Sequence, residues 1–160
     1  MTTIAYKGGV IAMDSMVTSD DGRYGRVSKG KITKEYLIAA AGSAQDVMAF
    51  IDWAEDGYKL TEANLKKYGL YDRDVEVEGI IVDRKHRVLV FESRLYPMPI
   101  ESPFHALGSG WKFAFGAMAL GASPYTAVKI ASEYDVNTGG NIKLLAFRKQ
   151  KVKRVAKTDT

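Results

Sequence analysis

Cysteine is absent from this 160-residue sequence, and histidine occurs only twice. The first absence excludes disulfides, thiolate metal sites and a cysteine nucleophile. With His86 and His105 as the sole imidazoles, a Ser-His-Asp relay is poorly supplied, and an HExxH zinc pair is missing. His86 falls in Asp83-Arg84-Lys85-His86-Arg87, a polar hairpin turn that leaves it solvated. Long hydrophobic runs are missing too: none approaches the roughly 20 residues that span a bilayer. Residues 1–20 lack a basic segment followed by an apolar block, so no signal peptide is expected. These absences point to a cytoplasmic protein with no membrane partner.

What is present is ordinary for a globular chain: 46% hydrophobic and 26% charged residues, enough for one domain over residues 1–160 with a proper core. The net charge of +4 is uneven. Much of it sits in Arg148-Lys149-Gln150-Lys151-Val152-Lys153-Arg154, which predicts a basic final strand and tail over about 148–160. Such a run can contact phosphates, but no aromatics interleave with it to stack bases. A solvated tail is the expectation, and nucleic acid is not the expected partner.

The chain starts Met1-Thr2-Thr3-Ile4-Ala5-Tyr6-Lys7-Gly8-Gly9-Val10-Ile11-Ala12-Met13-Asp14. If Met1 is removed, with no longer leader to process, Thr2 carries a free α-amine beside its hydroxyl. The amine has a reference pKa of about 7.7–8.0, suited to taking a proton at neutral pH. A terminal amine is one recognised way to activate a threonine hydroxyl. Downstream, Thr2 to Lys7 and Val10 to Val17 read as a strand pair around a Gly8-Gly9 turn. Asp14 interrupts the apolar run, so its carboxylate is half buried and needs a cation close by. A strand over Arg26 to Ile32 offers Lys29 and Lys31.

Tyr36 to Ala41 reads as a buried strand, and Ser43 caps a helix with apolar residues at Val47, Met48, Ile51, Trp53 and Ala54. The small-residue turn between them would aim backbone N–H groups at developing negative charge. A second helical piece covers Thr61 to Tyr68. Val75 to Val82 and Arg87 to Glu92 form a hairpin, with the Glu76 and Glu78 face wet. Pro97 and Pro99 mark an irregular link, and Phe104 to Leu107 a short strand. Helices follow over Trp111 to Gly121 and from Ser123-Pro124 to near Asp135. A last strand over Ile142 to Phe147 is expected to pair with a run near Val152 or with the N-terminal strand. Strands cluster, then helices, twice over, which suits two face-to-face sheets with helices outside rather than strict βα alternation.

In order and placement, several fragments resemble proteasome β-type subunits, in particular bacterial HslV, within the N-terminal nucleophile hydrolases. They are Thr2-Thr3-Ile4, Asp14, Lys31-Ile32, Ala41-Gly42-Ser43-Ala44-Gln45-Asp46, Gly108-Ser109-Gly110 and Asp135-Val136-Asn137-Thr138-Gly139-Gly140. The resemblance covers almost the whole chain. It implies an α+β fold, a four-layer αββα sandwich of two antiparallel sheets flanked by helices, and a threonine endopeptidase that needs no cofactor and no metal.

It further implies roles. Thr2 would be the nucleophile, and Lys31 would sit against its hydroxyl, held by Asp14. The Gly42 N–H would bind the oxyanion. Ser109, Asp135 and Thr138 would surround the Thr2 amine. Thr18 would pair with a substrate strand, and Val17, Ala40 and Ala44 would line a pocket roomy enough for a bulky apolar side chain. The Lys31–Gly42 segment is shorter than the family usually shows, which keeps Lys29, on the same strand face, as the rival lysine. Expected partners are peptide or unfolded-protein substrates, further copies of the chain in a homo-oligomeric ring, and an ATP-dependent unfoldase. A catalytically silent, ring-building subunit is the alternative reading.

Overall fold

The structure, a computed structural model, describes residues 2–19 and 22–148. The basic tail expected over 148–160 therefore lies, apart from Arg148, outside the described residues.

The first sheet has the order β10-β1-β2-β11, formed by Phe104–Gly108, Thr3–Lys7, Val10–Met13 and Lys143–Leu145. The second has the order β5-β6-β7-β8-β9, formed by Gly30–Ile32, Tyr36–Gly42, Val77–Asp83, Val88–Phe91 and Met98–Ile100. All pairings are antiparallel. A separate ribbon pairs β3, Met16–Ser19, with β4, Gly22–Arg26.

Three apolar clusters define four layers. Ile4, Ile11, Met13, Leu37, Ala39, Ile80, Val82 and Leu107 fill the space between the sheets. Helix α1, Ala44–Glu55, covers the second sheet through Val47, Phe50, Trp53 and Ala54. Short α2, Glu62–Lys67, follows it with Leu65 at the edge of the same cluster. Helices α3, Trp111–Ala119, and α4, Pro124–Tyr134, cover the first sheet, where Ala114, Met118, Ala127, Val128 and Ala131 meet Ala5 and Ala12. The chain is thus an α+β, four-layer αββα sandwich.

Local chemistry explains the element ends. Ser43 accepts from the Asp46 N–H and Ser123 from the Thr126 N–H, both side-chain N-caps, each worth about 1 kcal/mol. Under α1 the Phe50 and Trp53 rings meet Phe91 at 5.3 and 5.7 Å between centroids. Truncating either buried ring to alanine costs about 3–5 kcal/mol.

Four expectations are corrected. The strand over Val10 to Val17 breaks at Asp14-Ser15, because the Ser15 and Met16 N–H groups turn to the Gly139 carbonyl. The strand expected over Arg26 to Ile32 is only Gly30–Ile32: Arg26 ends β4, a strand not expected from the sequence, and 27–29 carry the chain from the ribbon to the second sheet. The proline link contains a strand, β9, with Pro99 opposite Leu89. It lies at the sheet edge, where a missing N–H is tolerated. The last strand is Lys143–Leu145, and it pairs with β2.

Candidate active site

Thr2 immediately precedes β1, only 1% exposed, at the end of the sandwich. The Lys29 ammonium donates to Thr2 Oγ1 at 2.5 Å, to Asp14 Oδ1 at 2.9 Å and to the Met16 carbonyl at 2.5 Å. These use all three of its protons. Asp14, fully buried, accepts in addition from the Thr3 N–H at 3.3 Å and the Gly139 N–H at 2.9 Å. Burial pushes the Asp14 carboxyl up and the Lys29 ammonium down, and each partner's charge opposes the other's shift. Three acceptors around the lysine and three donors around the carboxylate favour the charged pair. Lys29 is therefore a buried cation against the Thr2 oxygen.

Lys31, the lysine first expected here, does not reach Thr2. Its ammonium pairs with Glu55 Oε2 at 2.7 Å, and both side chains are more than two-fifths exposed. Only Lys31 lies in β5; Lys29 is in the 27–29 segment that leads into it, and two residues along an extended chain displace a side chain by about 6.6 Å. Gly30 lies opposite Ala39 and the Lys29 carbonyl accepts from the Ala40 N–H. That register leaves Lys29 at the Thr2 end of the sheet and Lys31 over the end of α1.

Ser109, Asp135 and Thr138 come together beside Thr2. The Ser109 hydroxyl donates to Asp135 Oδ2 at 2.5 Å and lies 3.5 Å from the Thr2 carbonyl oxygen. Thr138 donates to the same carboxylate oxygen at 2.6 Å. Its one proton thus used, Thr138 receives the Thr3 hydroxyl at 2.7 Å. Burial would raise the Asp135 carboxyl, but the Ser109 and Thr138 hydroxyls and the Asn137 N–H overcome it and hold it below the ordinary carboxylate range. Gly108, at φ +90°, brings its backbone so close to Thr2 that a Cβ there would run into the Thr2 carbonyl.

A cleft of about 1000 Å³ opens onto Thr2 and Lys29. Val17, Thr18, Ala40, Gly42 and Ala44 all line it. Among the described residues β3 is paired on one side only, with β4. The cleft walls follow strand order. Val27, Lys29 and Ala40 stand at the β5–β6 side, with Val47 of α1 behind them. Glu76, Glu78 and Glu92 stand at the β7–β8 side. The pocket expected to be apolar is so on one side only. Sequence reasoning missed these three glutamates as site residues: the alternation at Glu76 and Glu78 marked a polar face, and nothing in it marked that face as a cleft wall. Among the described residues no group of three or more His, Asp or Glu is placed to hold a metal.

The fold and this arrangement define a class: the chain has the HslV-like fold of proteasome β-type subunits. Among solved structures it is similar to the Thiobacillus denitrificans protein BPH in complex with epoxomicin, at 19% identity and TM-score 0.70, over 91% of this chain and 97% of that one. BPH without that compound gives the same score. HslV from Trypanosoma brucei matches at 19% identity and TM-score 0.65, over 91% of this chain and 99% of that one. No protein-family model matches the sequence, and no curated protein matches it.

Proposed function

We propose that this chain is a threonine-type endopeptidase that cuts peptide bonds with Thr2, made N-terminal by removal of Met1. The observation that carries this reading is the buried Lys29 ammonium seated on Thr2 Oγ1 and held there by Asp14. A fixed positive charge beside a hydroxyl lowers its pKa. A structural threonine has no use for a buried cation, which is costly to desolvate.

In this mechanism the Thr2 oxygen attacks the peptide carbonyl carbon and its proton passes to the Thr2 amine. The carbonyl oxygen becomes an oxyanion facing the Gly42 N–H. Removing one such donor typically costs about 2.7–4 kcal/mol in the transition state. The C–N bond then breaks, the amine's proton goes to the leaving nitrogen, and an ester to Thr2 remains. Water, with the amine again as base, releases the carboxylic acid and restores the hydroxyl. Lys29 stays charged throughout, and Ser109, Asp135 and Thr138 orient the amine. The substrate strand adds along Thr18. The apolar side of the cleft takes an aliphatic or aromatic side chain, and the acidic side favours a lysine or arginine.

The exposed Trp111, Phe113, Phe115, Leu120 and Tyr125 of the α3–α4 layer support a homo-oligomer, which by likeness of fold we take to be a ring. Unfolded proteins fed by an ATP-driven partner in the cytoplasm complete this reading. Intact mass and a fluorogenic peptide assay test it. The wild type should lack one methionine, hydrolyse the peptide and gain the mass of epoxomicin. Thr2→Ala should do neither of the last two. A wild type with a free Thr2 amine and no turnover would leave the ring-building, catalytically silent subunit as the reading.

A further inference from the structure

The β6–α1 turn, Gly42-Ser43, lines the cleft and packs on the chain segment before β7. Gly42 has φ +142°, and its Cα packs so tightly on Glu76 that a Cβ would run into the Glu76 carbonyl. The Ser43 N–H donates to that same carbonyl at 3.0 Å. Glu76 is itself held from the other side: its N–H donates to Asp46 Oδ2 at 2.8 Å. Asp46 is 7% exposed and receives both Arg73 Nη atoms, at 2.5 and 3.2 Å. Arg73 in turn donates to the Gly69 and Asp74 carbonyls, closing the 69–76 loop on itself.

We propose that Asp46, through Arg73 and the Glu76 backbone, is a positioning residue that seats the oxyanion-binding Gly42-Ser43 turn. Its catalytic consequence rests on the peptidase reading; its structural content does not. The plain explanation for an acid in a first helical turn is the helix dipole. That explanation asks for no arginine and no grip on a distant N–H. Helix capping does not ask for Asp46 either, because the Ser43 hydroxyl already caps α1. What the carboxylate alone provides is the tie between the start of α1 and the residue against which Gly42 is packed.

Two readouts test this on the full chain. The first is amide hydrogen exchange in the wild type, Asp46→Ala, Asp46→Asn and Arg73→Gln. Exchange at Ser43 should speed up in Asp46→Ala by about tenfold or more, as expected for local opening. The Ala40 amide, bonded to the Lys29 carbonyl, should stay as in the wild type. Asp46→Asn keeps an acceptor for Glu76 and should fall between, which also guards against a variant that simply misfolds. The second is kcat and KM on a fluorogenic peptide, per site labelled by epoxomicin. A small misplacement of an oxyanion donor should lower kcat by roughly 10- to 100-fold, with KM within about twofold and the pH profile unmoved. Unchanged Ser43 exchange in Asp46→Ala overturns the inference. So does unchanged kcat in that variant when the wild type turns over. A wild type without turnover overturns the peptidase reading, and Ser43 exchange alone then decides this one.

Discussion

Lys29 and Thr2, 27 positions apart in the chain, meet with the ammonium 2.5 Å from the hydroxyl oxygen. Exchanging the lysines should separate role from neighbourhood. Lys29→Ala is expected to lower peptide hydrolysis by at least about a thousandfold, and to destabilise by about 3–5 kcal/mol because Asp14 is left charged and unpaired in a buried site. Lys31→Ala removes only an exposed pair with Glu55, so activity should stay within about twofold and stability within about 0.5 kcal/mol. Peptide assays and urea unfolding on both variants check this, and an inactive Lys31→Ala beside an active Lys29→Ala would reverse the assignment.

The pH profile of kcat/KM should be bell-shaped. The rising limb is the Thr2 amine losing its proton. The falling limb is Lys29 losing its charge, and burial places it below the ordinary lysine range. The Asp14 charge raises Lys29, so Asp14→Asn should move the falling limb to lower pH still. A falling limb that stays put in Asp14→Asn, in a variant that still turns over, would show that another group sets it.

Asp135 links the site to acid stability. Its folded carboxyl lies below the ordinary value. Its contribution is therefore present above the unfolded pKa, about 3.9, and is lost as pH falls through the folded value. The wild type should lose stability between about pH 5 and pH 2 more steeply than Asp135→Asn. Denaturant midpoints across that range measure the difference, and parallel curves would contradict it.

Three glycines should respond in opposite ways. Gly42→Ala and Gly108→Ala place a Cβ against the Glu76 and Thr2 carbonyls, at φ +142° and +90°. Each should lower stability by several kcal/mol, of the order seen for overpacking plus backbone strain. Gly116 lies within α3, and a Cβ there meets nothing within 4 Å. Gly116→Ala should stabilise by about 0.5–1 kcal/mol through helix propensity. Thermal melts of the three variants suffice, and a stable Gly42→Ala would show that the turn has slack.

Cleft charge should appear in substrate choice. Glu78 and Glu92 flank the last β7–β8 pair, Gly79–Phe91, and both line the cleft, where walls of one sign attract substrate of the other. Peptides carrying lysine or arginine should be cut faster than acidic ones, with the gap narrowing at about 1 M salt as screening shortens to about 3 Å. Glu92→Gln should shrink the gap by roughly threefold, the scale of an exposed charge. It is the better variant because Glu78 also accepts the Gly108 N–H. Equal rates on basic and acidic peptides at low salt would remove the acidic wall from substrate recognition.

Much of this was legible in the chain itself. Residue type and period placed the helices and most strands, though not β4 or β9, because β-branched runs, serine caps and glycine turns act over a few residues. The sequence also marked Asp14 as a carboxylate in an apolar run that needed a cation, and Thr2 as a hydroxyl able to carry its own base. It could not choose the cation. A period of two puts Lys29 and Lys31 on one face with equal right. Only the register of β5 on β6, and the end of the sandwich at which Thr2 lies, sends one lysine to the Thr2 hydroxyl and the other to Glu55. The same holds for Glu76 and Glu78. Alternation told that their face was polar, and only the stacking of one sheet on the other made that face the wall of a cleft. Local sequence fixes what each segment becomes; which side chains of distant segments share a site is decided by packing, because that depends on contacts no single segment contains.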